Sequence, residues 1–227
     1  MNISNIKDIK ERNKIRYEAE LGELLYILAS STGSLTNPQK LANTFKSKRN
    51  SGFAETTITR YCSFLENAFI ISKGSRYDVK GKKYISTPFK YYFEDVGLRN
   101  ARLNFRQQEE NHIMENIIFN ELHYRGFSVD VGVVEVREKT PDGKEVRKQL
   151  EIDFVANSGS KRYYLQSAFD LATPEKDAQE RRPFQKVNDS FKKIILVRDN
   201  IKIRRDESGI VTMGILDFLL NSNSLEL

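Results

Sequence analysis

Residues 151–169, EIDFVANSGSKRYYLQSAF, read as two short strands around a polar turn. Strand side chains alternate with period two, so Glu151 and Asp153 share one face of the first strand. Gln166 and Ala168 share a face of the second in the same way. Acidic groups opposite an oxygen-bearing side chain on a neighbouring strand form an arrangement able to hold Mg²⁺. Phosphodiester cleavage also needs a group that activates water or neutralises developing charge, for which a lysine serves. Ala168 stands in its place. The stretch is therefore a metal site, a site stripped of its chemistry, or a plain hairpin.

Working outward, strands are expected over 128–136, 148–156 and 163–169, the first two joined by a turn at Asp142 and Gly143. Before them, NHIMENIIFNELHY (111–124) has an amphipathic helical pattern through Ile113, Ile117, Phe119 and Leu122, ended by Gly126. After them, TPEKDAQERRPFQKV starts a helix with Thr173 as N-cap and Pro174 at the first position. A buried-looking strand KKIILVRD follows, then the charged NIKIRRDESG, a strand over 210–213 and a last helix GILDFLL. Helix, three strands in a meander, and a crossover helix feeding another strand predict an α/β domain over 98–227.

The first half reads differently. A charged leader (1–16) precedes a helix over 18–30 with Leu21, Leu24, Leu25 and Leu28 inward and Gly33 closing it. LTNPQKLANTFKSK offers Thr36 or Asn37 as N-cap before Pro38, and the next loop contains Gly52. A third helix places Ile58, Tyr61, Cys62, Leu65 and Phe69 on one face. A ribbon follows, with strands over 70–72, 77–79 and 83–85 separated by Gly74 and Gly81. Helix-turn-helix followed by a basic hairpin is the layout of a winged-helix domain over 17–97, so the chain is α+β overall. Thr56, Thr57, Thr59 and Arg60 would face a DNA groove, and Lys73, Arg76, Lys80, Lys82 and Lys83 would contact phosphates from the wing.

Charge supports that expectation. The net charge is +6, from 37 basic and 31 acidic residues in 227. Residues 39–91 hold 11 Lys/Arg against 3 Asp/Glu, so the excess is concentrated in the winged-helix segment. A local basic excess is the electrostatic footprint of a phosphate-binding surface. No apolar run reaches the ~18 residues that span a bilayer, and the start is polar, so a cytoplasmic protein without membrane contact is expected. One cysteine, Cys62, excludes an internal disulfide and any multi-cysteine zinc site; its apolar helical setting reads as a buried structural thiol.

The runs YDVKGKKYISTPFKYYFEDVGLRNA, HIMENIIFNELHYRGFSVDVG, EIDFVA with YYLQSAF, and RRPFQKVNDSFKKIILVRD together resemble the C-terminal half of a prokaryotic AAA-type ATPase family, over residues ~4–220. That resemblance implies a winged helix followed by a restriction-endonuclease-like domain of the PD-(D/E)XK superfamily. It assigns Glu115, Asp153 and Gln166 to a remnant catalytic site, with Glu115 and Asp153 as the residues for Mg²⁺, and makes Ala168 a trait of a lysine-lacking branch. The family's ATPase core is absent. No G-x-x-x-x-G-K-[ST] occurs, since Arg76 stands where Gly81-Lys82-Lys83 would need its upstream glycine. ATP would therefore belong to a missing domain, and no cofactor beyond weak Mg²⁺ is expected here. The leader resembles the segment joining ATPase and winged helix, which favours an excised fragment.

Three functions follow as expectations. The first is a module that binds duplex DNA and a partner, its own ATPase domain or another copy, with a degenerate nuclease-like fold. The second is a metal-dependent nuclease whose lost lysine is replaced by Lys186 or Arg182, with Arg181 beside them. The third is a protein-interaction module without nucleic acid. His112 and His123, 11 residues apart, read as ordinary helix histidines and not zinc ligands. Tyr91, Tyr92, Phe93, Tyr163 and Tyr164 read as core.

Overall fold

The computed structural model describes residues 11, 15, 18–49, 54–106 and 109–227. The leader, apart from Glu11 and Ile15, and the loop around Gly52 lie outside them. Packing divides the chain into two compact units. Residues up to 74 with 87–116 form the first, and 75–86 with 117–227 the second.

In the first unit, α1 (Glu18–Ser30) buries Leu21, Leu24, Leu25 and Leu28, as their spacing predicts. Gly33 follows at φ 72°, the left-handed region that glycine enters without steric cost. Asn37, not Thr36, caps α2 (Pro38–Arg49): its Oδ1 accepts from the Lys40 amide over 2.7 Å. Thr36 instead makes an antiparallel bridge with Phe89. Helix α3 (Glu55–Asn67) buries Ile58, Tyr61, Cys62 and Leu65 in the same apolar cluster as α1. Burial pushes the Cys62 thiol up to about 12, so it is an inert core group.

Phe69 departs from expectation. It lies past the end of α3 at φ 53° with 75% of its surface exposed, because the chain reverses there to enter β1. The ribbon also differs. Gly74 does not interrupt it, and the three expected short strands are two longer ones, β1 (Ile71–Asp78) and β2 (Lys83–Phe93).

Helix α4 (Val96–Arg102) is capped by the Asp95 carboxylate, which accepts from the Leu98 amide at 3.0 Å. Its arginines turn inward. Arg99 Nε donates to the Ala29 carbonyl at 3.0 Å and Arg102 to the Gly22 carbonyl at 2.7 Å. Helix α5 (Glu110–Tyr124) begins in this unit, and its Asn116 amide brackets the Phe93 backbone, accepting at 2.8 Å and donating at 2.7 Å. The buried apolar positions of α5 are Met114, Ile118, Phe119 and Leu122. Ile113 and Ile117, expected inside, are only half-buried, a rotation of about one residue.

The second unit is built on β3 (Ser128–Lys139), β4 (Glu145–Ser158) and β5 (Lys161–Ala168), an antiparallel meander. Gly143 turns the β3–β4 hairpin at φ 80°. The β3–β4 register shifts between Asp130 and Gly132, so that Gly132 opposes Ile152 while Asp130 opposes Val155. Gly132 is required at that bulge, since a Cβ there would lie 2.8 Å from the Ile152 Cβ. Thr173 caps α6 (Pro174–Gln185), which crosses over to β6 (Lys192–Val197), parallel to β5. Then come β7 (Arg204–Arg205), β8 (Val211–Gly214), α7 (Ile215–Leu220) and a 3₁₀ turn, Ser224–Glu226.

The strands form one mixed eight-stranded sheet in the order β2-β1-β3-β4-β5-β6-β8-β7. With the seven helices among the described residues this is a mixed α/β architecture. Tyr91, Tyr92, Phe93, Tyr163 and Tyr164 are all core. No helix among the described residues is long and apolar enough to cross a membrane.

Candidate functional site

Strands β4 and β5 pair from Phe154/Leu165 to Ser158/Lys161 and then part. Beyond that point β5 pairs only with β6, through Gln166/Ile195 to Ala168/Val197. Two side chains take up the backbone groups released by the split. The Ser167 amide donates to Asp153 Oδ2 at 2.7 Å, and the Asp153 amide to Gln166 Oε1 at 3.4 Å. A cleft of about 580 Å³ opens here, lined by Glu151, Asp153 and Gln166 from the strands and by Glu175, Glu180 and Arg182 from α6, among others.

The cleft is acidic and its inner acid is perturbed. Burial pushes the Glu180 carboxyl above the ordinary range, partly offset by a hydrogen bond with Gln166. Gln166 is itself buried, so its amide joins the Asp153 backbone on one side to Glu180 on the other. Glu180 was not among the residues expected at the site. A signal existed: it precedes the buried Pro183 and Phe184 by three and four residues, which sets it on the same face of α6.

Ala168 is 2% exposed and packs in an apolar cluster with Phe184, Val187 and Val197. Its methyl completes the core where a catalytic lysine would need room. The three alternative cations have different partners. Arg182 lines the acidic cleft but is ion-paired with Glu138. Arg181 pairs with Asp177 at 2.8 Å and with Asp206. Lys186 lines a neighbouring groove with Lys80, Arg137 and Arg182 itself.

Glu115 belongs to the first unit, where its Oε1 accepts from Lys90 Nζ at 2.8 Å and from the Tyr92 hydroxyl at 2.7 Å. Gly33 makes room for that carboxylate, since a Cβ there would come within 3.1 Å of Glu115 Oε2. Asp153 and Gln166 are brought together in the second unit, each with an oxygen committed to a backbone amide. Among the described residues no three His, Cys, Asp or Glu side chains are placed to hold a metal ion. Mg²⁺ is commonly held by one or two carboxylates with waters and substrate phosphates, and Glu151, Asp153, Glu175 and Glu180 line the cleft that would receive it. His123 stacks near Phe119, ring centres 4.5 Å apart, and His112 is half-buried on the same helix.

Of the expected nucleic-acid contacts, Thr56, Thr59 and Arg60 are exposed on α3 and Thr57 is partly so. Lys73 is exposed, its ammonium 4.1 Å from the centre of the Phe89 ring. Lys82 and Lys83 are exposed at the hairpin turn, and Lys80 beside them donates to the Glu135 carbonyl at 3.2 Å. Arg76 overturns its expectation as a phosphate contact. It is 6% exposed, and its guanidinium donates to Gln149 Oε1 at 2.8 Å, because strand alternation sets Arg76 on a covered face of the sheet.

Residues 5–109 match a domain of unknown function, DUF8612. The DUF8612 match takes in α1–α4, β1 and β2 and ends just before α5. A Haemophilus influenzae protein described as uncharacterized is 33% identical over 215 residues, 95% of this chain and 49% of that protein. An uncharacterized protein of Methanocaldococcus jannaschii is 27% identical over 197 residues, 87% of this chain and 40% of its own length. The chain thus spans about half the length of the curated relatives it matches, and both likenesses run well beyond the DUF8612 segment. No solved structure matches.

Proposed function

We propose that the chain binds duplex DNA through α3 and serves as the C-terminal module of an AAA-type ATPase, with a nuclease-like second unit that has lost its chemistry. In this reading α2 and α3 are a helix-turn-helix and the β1–β2 hairpin is its wing. The β3–β4–β5 meander with the α6 crossover is the restriction-endonuclease-like core. The observation that carries the reading is the two-sidedness of α3. Ile58, Tyr61, Cys62 and Leu65 anchor one side in the core, and Thr56, Thr59 and Arg60 are exposed on the other. A recognition helix needs that division, with one face fixing its pose and short polar or cationic side chains reaching the groove.

The sequence resemblance supports attachment to an ATPase, with the ATPase core or another copy of the chain as partner. Ala168 in the apolar cluster supports binding over cutting.

The test is fluorescence anisotropy of a labelled duplex at two or more salt concentrations. The expected result is affinity that falls as salt rises, with Arg60→Ala weakening binding and lowering the salt slope by about 0.9. Absence of salt-dependent duplex binding at low ionic strength would overturn the reading.

A further inference from the structure

The turn end of the β1–β2 hairpin carries a second polar-aromatic surface, wholly within the second unit. Tyr77 and Tyr84 face each other across the hairpin, ring centres 5.4 Å apart and edge to face. Tyr84 is 65% exposed, yet its hydroxyl is fixed by the buried Asp130 carboxylate at 3.1 Å. On the other side of Tyr77 lies the Arg162 guanidinium, 5.3 Å from that ring and 5.4 Å from Phe191, itself 38% exposed. Arg162 Nε donates to Asn157 Oδ1 at 2.7 Å, and its charge acts on the buried Asp130 carboxylate that holds Tyr84. Lys82 and Lys83 immediately precede Tyr84, and both are exposed without an ion pair among the described residues.

A large aromatic ring left in water while anchored at its hydroxyl end is a rigid plate with one usable face. Lys82 and Lys83, exposed without an ion pair among the described residues, select an anionic occupant, and aromatic faces interleaved with cations suit nucleobases joined by phosphates. In a duplex the base faces are already stacked on one another, so such a plate has a use only where bases are unpaired. We infer that the Tyr84 surface binds unpaired nucleotides, a base stacking on Tyr84 while Lys82, Lys83 and Arg162 meet the flanking phosphates. The residues are separate from those on α3. The inference extends the nucleic-acid reading to a second substrate class without depending on duplex binding.

The experiment uses the full 227-residue chain. A thymidine oligonucleotide containing one 2-aminopurine is titrated beside a blunt duplex and a proline-rich peptide. Binding of the oligonucleotide with quenching of the 2-aminopurine is expected for the wild type and for Tyr84→Phe. Tyr84→Ala should weaken oligonucleotide binding about ten-fold or more and abolish the quench, in keeping with the contribution of one stacked base. Lys82→Gln with Lys83→Gln should weaken oligonucleotide binding most at low salt and lower its salt slope, while duplex affinity changes with Arg60→Ala and not with Tyr84→Ala. The inference is overturned if the oligonucleotide does not bind, if Tyr84→Ala binds it as the wild type does, or if the peptide alone binds. Failure of the duplex arm alone would strike the α3 reading and leave this one standing.

Discussion

The Ser167 amide donates to Asp153 Oδ2 over 2.7 Å at the point where β4 and β5 part. A residue expected to bind a metal is thereby part of the scaffold, standing in for a ladder bond that the split removes. Asp153→Ala should lower stability by about 1.5–3 kcal/mol, the usual worth of a hydrogen bond to a charged group. Asp153→Asn keeps an acceptor oxygen and should lose less, about 1 kcal/mol. Urea midpoints at neutral pH check both values. Equal stability of Asp153→Ala and wild type would show that the carboxylate has no structural part.

Restoring the lysine should not restore cleavage. Ala168 belongs to the same buried apolar cluster as Phe184, Val187 and Val197, and a lysine there overpacks the cluster at a cost of about 1–3 kcal/mol, before its charge is counted. Ala168→Lys should melt at a lower temperature. With Mg²⁺ or Mn²⁺, neither it nor the wild type should nick supercoiled plasmid. Nicking by the wild type that disappears in Asp153→Ala would mean a live nuclease and sink the degenerate reading.

What was legible beforehand and what was not follow from how local each signal is. Asn37 and Thr173 cap their helices through bonds spanning three residues, so the chain carries that information within one turn. The meander and its crossover were legible from strand runs bounded by turns, and the five aromatic core positions from their apolar bulk. Helix α4 was hidden because Arg99 and Arg102 turn inward to carbonyls of α1, some 70 and 80 residues away, which no apolar periodicity registers. Arg76 was misread for the same reason, its partner Gln149 being 73 residues distant. At the site, Asp153 and Gln166 were recognisable as a strand pair. Glu180 escaped because a polar helix reads as solvated until its contact with the sheet is known.

Glu180 should leave a mark on the pH dependence of stability. Its folded carboxyl titrates above the ordinary range because burial disfavours the charge. Between the unfolded value, about 4.3, and the raised folded value, the native state binds more protons than the unfolded state. The contribution of the protonated acid is therefore complete below that window and is lost as pH rises through it. Glu180→Gln removes the titration and keeps the shape. Relative to wild type it should gain stability steadily as pH is raised from about 4 through that window. Parallel urea-midpoint curves for the two proteins would rule out the buried acid as the cause.

Arg76 and the turn lysines should separate cleanly in duplex binding. Arg76 is buried against Gln149, so it has no phosphate to meet, and Arg76→Met should leave the salt slope of duplex affinity unchanged. Its effect should fall on the urea midpoint, by about 1 kcal/mol, since the exposed side of Gln149 regains water. Lys82 and Lys83 are exposed at the hairpin turn, and each lysine-to-methionine change should lower the slope by about 0.9 with stability unaltered. Anisotropy at 50 to 200 mM salt measures the slopes, and the same protein samples supply the midpoints. A slope change in Arg76→Met without a stability change would place that guanidinium on the phosphate backbone after all, and with it the original expectation for the whole wing.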